Sequence, residues 1–304
     1  MSLIETIQSI IADSKANMGV AIHHIETGES VYINADTLFP MCSVLKIPVL
    51  CEAFRQIHAG KFSLDERIEL TLAEKNLPSG VLVFFQDGLM PTFRDLLTVM
   101  IIISDNTATD MVMHRVGTEN IHNFMHELGL TDIHVTMTIR DIFDDLLGAA
   151  SDPRRSFTNL AENRTMPDIN KDGTALRSDP TNDVSSARAM TQLLTKIYTG
   201  QIVNRAACDD MLHILLQQQL NSRLPLFLPY GVPFAHKTGT LAGIRNDAGI
   251  LYASDTSHVA MTVYTRWSTE ETTGNKVAEW KRINEIDSAM GHIGKTVYDY
   301  FREK

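Results

Sequence analysis

The chain has 304 residues, 44% of them hydrophobic and 21% charged, which is enough apolar material to bury a sizeable core in one large or two interlocked domains. A formal net charge of -10 without a long basic run argues against nucleic acid or an anionic membrane as partner, and the longest apolar stretch, residues 96–103, is far too short to span a bilayer. Three cysteines without metal-like spacing, Cys42, Cys51 and Cys208, suit a reducing compartment.

The first fifteen residues alternate apolar and charged positions as an amphipathic helix does. They lack the basic region and apolar core of a secretion signal, so the chain as given is expected in the cytoplasm, or in the periplasm or outside the cell where a signal has been trimmed. "NMGVAIHHIETGESVYINAD" reads as a hairpin, with one strand from Met18, a turn at Thr27 and Gly28, and a second strand from Ser30.

"PMCSVLKIPVL", residues 40–50, sets the hydroxyl of Ser43 three residues before the amine of Lys46 in an apolar run. On a helix the two share a face, and an amine whose pKa is lowered by burial could take the hydroxyl's proton. A core helix whose lysine reaches outward to water is the other reading. Cys42, beside Ser43, has no sequence-local base and reads as a small thiol packed behind the site. Helical periodicity then places Leu50, Ala53, Phe54 and Ile57 on one face, with Gly60 as a stop.

Further on, Thr92 and Asp95 form a capping-box pattern ahead of a buried helix, and "SDN" at 104–106 separates two helical runs. Residues 148–183 are polar and rich in turn formers, as a long loop would be. Helices resume in "VSSARAMTQLLTKIYTG" and "RAACDDMLHILLQQQ". Strands follow in "PFAHKTGT", "NDAGILYAS" and "HVAMTVYTRW", then a solvated loop and a terminal helix from about 282 to 301. Strands at both ends with helices between predict an α/β (α+β) fold: an antiparallel sheet built from both termini, residues 1–40 and 184–304, with an inserted helical domain, residues 41–183.

Ser43-x-x-Lys46, Ser104-Asp105-Asn106 and Lys237-Thr238-Gly239 occur in the order that marks class A β-lactamases and penicillin-binding proteins. The segments "FPMCSVLKIPV", "LLTVMIIISDNTATDMVMHRVG", "LNSRLPLFLP" and "HKTGTLAGIRNDAG" resemble class A β-lactamases over most of the chain outside the 148–183 loop and the termini. The resemblance implies a β-lactamase-like fold, a cleft between the two domains, a serine acyl-enzyme and no metal or organic cofactor. It implies that Ser43 attacks a carbonyl, with Lys46 as base or relay, its low pKa maintained by Lys237 and partial burial. Ser104 passes a proton to the leaving nitrogen and Asn106 binds a substrate amide, while Asp105 reads as a helix cap. Lys237, Thr238 and Arg245 bind a substrate carboxylate, and the backbone N–H groups of Ser43 and Thr240 form the oxyanion hole. Gly239 leaves room where substrate nears the backbone, its alternative being an ordinary turn.

The family's E-x-x-L-N loop has no counterpart. Anchoring on Thr136 and Arg140 puts Ile142 at the glutamate position and Leu146 at the asparagine, with Asp183 as the expected partner of Arg140. Asp141, Asp144, Asp145 and Glu162 are the acids at hand. Asp144, two residues beyond the glutamate position, is the preferred replacement, set against a reading in which Asp144 and Asp145 simply face solvent. The expected activity is β-lactam hydrolysis. The alternatives are an esterase or peptidase of the same fold, and a penicillin-binding or ligand-binding protein that does not turn over. The expected substrate is a small molecule with a carboxylate and an amide or ester carbonyl.

His122 and His126, four apart in "HNFMH", lack the glutamate of H-E-x-x-H, which is Asn123 here, and no third ligand is apparent in the sequence. They read as surface histidines. His236, adjacent to Lys237 on a strand, faces the opposite side and reads as structural.

Overall fold

The computed structural model describes residues 1–77, 79–148, 169–270 and 272–304. The chain forms two compact units, Met1–Val44 with Ser185–Lys304, and Leu45–Val184.

The first unit is built on a five-stranded sheet of order β2-β1-β7-β6-β5, antiparallel throughout. Its strands are β1 Asn17–His24, β2 Ser30–Ile33, β5 Phe234–Leu241, β6 Ile244–Ser254 and β7 Ser257–Arg266. The sheet that both termini were expected to build is therefore present. A second sheet pairs β3 Leu38–Pro40 with β4 Val184–Ser186.

Side-chain alternation divides the faces of the large sheet. Met18, Val20 and Ile22 of β1 and Met261 and Val263 of β7 join a buried core with Leu3 and Ile7 of α1 (Leu3–Ser14) and Ile286, Met290, Ile293 and Val297 of a 26-residue terminal helix, Lys276–Phe301. The opposite face meets α7 (Ala187–Tyr198), where the Thr191 hydroxyl lies 2.9 Å from that of Thr262 and also donates to the Ala21 carbonyl. α8 (Arg205–Leu216) follows, and the terminal helix, α9, starts at Lys276 rather than near 282, because the Asn275 side chain accepts the Ala278 N–H and caps it there.

The second unit is helical: α2 Lys46–His58, α3 Phe93–Ile102, α4 Asn106–Val116, α5 Thr118–Glu127 and α6 Ile139–Leu147. Most of α2 is buried, Lys46 included, and it packs against α3, α4 and α5. The Thr92–Asp95 capping box starts α3 as its spacing predicts, and Thr138 with Asp141 builds the same box on α6. Glu162 and most of the expected 148–183 loop lie outside the described residues. No described helix is long and apolar enough to cross a membrane.

Candidate active site

In the helical unit the polar centre is Lys46, fully buried in the first turn of α2. Its Nζ donates to the Ser104 carbonyl at 2.9 Å, the Ser104 Oγ at 3.0 Å and the Asn106 Oδ1 at 2.9 Å, which uses all three protons of an ammonium. Burial pushes its pKa down to about 7, against the pull of Asp105 and Asp110. Burial is thus complete rather than partial and is the leading cause of the shift.

Ser104 is held at φ 59°, a left-handed conformation uncommon for a residue with a Cβ. Asn106 bridges inward, since its Nδ2 donates to the Leu77 carbonyl while its Oδ1 receives Lys46. Asp105 caps α4 through the Ala108 N–H and also accepts the N–H groups of Val81 and Leu82. The chain at 79–82 passes so close that a Cβ on Gly80, itself at φ +100°, would lie 2.3 Å from the Asp105 carboxyl.

Asp110, one turn further along α4, accepts the backbone N–H groups of Ile139 and Arg140 and the side-chain amide of Asn76. Burial raises its pKa to about 6. No motif singled it out, although an aspartate four residues past Asn106 on one helix was the available signal.

In the sheet unit Ser43 sits in the 3₁₀ turn Cys42–Leu45, which continues without a break into α2, so hydroxyl and amine are three residues apart on continuous helical backbone. Cys42 enters that turn at φ 49°. Two groups hold the entry. The Asn246 Nδ2 donates to the carbonyls of Pro40 at 2.8 Å and Met41 at 3.2 Å, and β5 closes on the turn at Gly239.

The structure gives Gly239 a further role. It lies within β5, paired with Asn246, so it is not a turn, and a Cβ there would meet the Met41 carbonyl oxygen at 2.5 Å and the Cys42 Cβ at 3.2 Å. The missing side chain therefore makes room for the chain on either side of Ser43. Gly239→Ala is expected to shift that turn and slow acylation of Ser43 on the order of tenfold, read by single-turnover kinetics beside the melting temperature.

Along β5, Lys237 is fully buried, with its Nζ on the Thr238 carbonyl, and Thr238 is nearly buried. β5 is an edge strand, so one side of its backbone has no ladder partner in this sheet. His236 faces the other way: its Nδ1 lies 2.8 Å from Asp247 Oδ1 and its Nε2 3.0 Å from Asn221 Oδ1, a structural tie between β5, β6 and the 221–224 segment.

At the end of β5, Arg245 does not act alone. Arg223, almost wholly buried, donates to the Gly239 carbonyl at 2.7 Å and to the Thr240 hydroxyl, and its Nε faces Asp287 Oδ1 at 3.6 Å, an ion pair beyond hydrogen-bond reach. Arg245 reaches the other Asp287 oxygen at 3.2 Å and Thr240 Oγ1 at 3.5 Å. Burial and the neighbouring Arg245 lower the Arg223 pKa to about 10. Two arginines meet the Asp287 carboxylate beside Thr240, with Asp247 also close enough to act on Arg223, so guanidinium donors are gathered at the end of β5. Arg223 was visible only as the arginine of "NSR".

α6 bears on two expectations. Ile142 and Leu146 are buried on its inner face, whereas Asp144, about 200° around the helix from Ile142, is exposed. Asp145 accepts the Ala175 N–H at 2.9 Å and Asp141 caps the helix, so these two acids serve local structure. Arg140 donates to the Lys75 carbonyl instead of pairing with Asp183. Asp183 instead accepts the N–H groups of Thr136 at 2.6 Å and Met137 at 3.0 Å; burial lifts its pKa to about 7, so the 136–183 neck closes on backbone donors.

The profile of the "Beta-lactamase enzyme family" matches residues 2–301. The chain belongs to that family. As a member it is a serine hydrolase. It is 25% identical over 312 residues to β-lactamase VEB-1 of Pseudomonas aeruginosa, covering 98% of this chain and 90% of that one. A β-lactamase structure from Chitinophaga pinensis superposes with a TM-score of 0.76 at 26% identity, over 98% of each chain. The structure of PBP-A aligns with a TM-score of 0.76 at 21% identity, over 98% of this chain and 95% of that one, and a leucine-to-glutamate variant of it is an acyl-enzyme complex with penicillin G.

Proposed function

We propose that this enzyme takes a β-lactam or closely related cyclic amide bearing a carboxylate, acylates Ser43 and releases the acyl group slowly. The observation that carries the reading is Lys46: a fully buried amine with a pKa lowered to about 7, three residues after Ser43 on one helical run. An amine poised near neutrality serves as a base for the serine proton. Its contact with Ser104 Oγ provides a route for that proton toward the leaving nitrogen. The N–H groups of Ser43 and Thr240 would receive the oxyanion, and Thr238, Lys237, Arg245 and Arg223 the substrate carboxylate.

Slow release follows from α6. Hydrolysis of an acyl-enzyme needs a group that activates water, and the side chains at the family's acid and amide positions are the buried hydrocarbons Ile142 and Leu146. That favours a second reading, a penicillin-binding type of protein that acylates with little turnover. Intact-protein mass spectrometry after adding a chromogenic cephalosporin, with Ser43→Ala as control, tests both while product absorbance is followed. The expected result is an adduct of the acyl mass on wild type only, decaying over many minutes with few turnovers. An adduct that persists with a single turnover selects the penicillin-binding reading. No adduct overturns the β-lactam assignment and turns the search to esters and peptides.

A further inference from the structure

We propose that His122, His126 and His134 form a binding site for a divalent transition metal of the Zn²⁺ class. The two histidines of α5 are four residues apart and share a face of the helix. The chain turns after Leu130 and brings back His134, which the sequence spacing does not reveal. One ring nitrogen of each residue lies within 4.8 Å of the others, and the ring centroids are 4.3 to 5.5 Å apart.

Two observations point to a ligand rather than to packing. His122 Nδ1 and His126 Nε2 are buried and find no hydrogen-bond partner among the described residues, so each loses its water without replacement, a deficit that a cation contacting the ring would offset. The frame is fixed: the His134 N–H donates to the Val184 carbonyl at 2.9 Å and its carbonyl receives the Val184 N–H at 3.2 Å, while the other two rings ride on a helix.

The donor set defines the ligand class. Three imidazoles suit Zn²⁺, Co²⁺, Ni²⁺ or Cu²⁺ and not Mg²⁺ or Ca²⁺, which prefer oxygen. Metal–nitrogen bonds of about 2.0–2.1 Å need ring nitrogens roughly 3.3 Å apart, so small side-chain rotations complete the triad and leave a fourth position for water. Because His134 pairs with Val184, next to Asp183, an ion here ties α5 to the strand that ends the 136–183 neck.

Metal-free protein titrated with Co²⁺ should develop the visible bands of a tetrahedral site at one equivalent, and Zn²⁺ should abolish them while Mg²⁺ in large excess should not. His134→Ala should weaken binding at least about tenfold and remove the rise in melting temperature that Zn²⁺ gives wild type. The metal-free variant is checked by circular dichroism, and His126→Asn replaces it in the same titration if it does not fold. Absence of the Co²⁺ bands in wild type, or equal affinity in a folded variant, overturns the site.

Discussion

Replacing Lys46 with methionine is expected to slow acylation of Ser43 by about a thousandfold at pH 7, within the range set by loss of a positioned general base. In wild type the acylation rate should rise with pH through about 7, the value to which burial brings Lys46, and fall about tenfold per unit below it. Lys46→Arg should not rescue the rate, since a guanidinium stays charged throughout that range. Single-turnover kinetics with a chromogenic cephalosporin from pH 5 to 9 reads all three, and a wild-type profile that is flat through pH 7 removes Lys46 as the base.

The same group ties stability to pH. The lysine pKa is lower in the folded chain than in the unfolded one, so between about 7 and 10.5 the unfolded state holds more protons and folding strengthens as pH rises. Below 7 both states are protonated and the full penalty of a buried ammonium applies. Relative to Lys46→Met, wild type should gain about 1.4 kcal/mol of unfolding free energy per pH unit across that window, measured by urea denaturation.

The placing of Ser43 and Lys46 on one helical run and the sheet were legible because each depends on local pattern: a spacing of three, an alternation of two, a turn glycine. The groups that hold them were not. Asn246 supports the backbone before Ser43 from 203 residues further along the chain, and Arg223 and Asp287 meet beside Thr240 only because β5, β6 and α9 bring them there. Gly239 was marked for its freedom of approach, yet the carbonyl that approaches it is Met41, a contact no pattern within β5 encodes. His134 escaped for a related reason, since helical spacing pairs His122 with His126 while a tertiary turn supplies the third ring. The side on which Asp144 falls is a matter of helical phase: two residues beyond Ile142 is the far side of the helix.

That phase leads to the opposite kind of experiment, one that adds a function. Ile142→Glu is expected to raise the rate of deacylation at least about a hundredfold while leaving acylation within a few fold, because it places a carboxylate on the inner face of α6 in the place of a buried hydrocarbon. Ile142 is only 8% exposed, so the new glutamate should be held above the usual carboxylate range and destabilise the fold by about 2–3 kcal/mol. Adding Leu146→Asn supplies the amide of the family pattern and should increase turnover further. Asp144→Asn is the control: it lies on the exposed side, and its deacylation rate should remain within twofold of wild type. The decay of the acyl adduct, followed by mass spectrometry for all four proteins, separates the cases. If Asp144→Asn alone freezes the adduct, α6 rearranges during catalysis to bring Asp144 inward. If Ile142→Glu folds and leaves the decay unchanged, the deacylating water lies elsewhere and slow release has another cause.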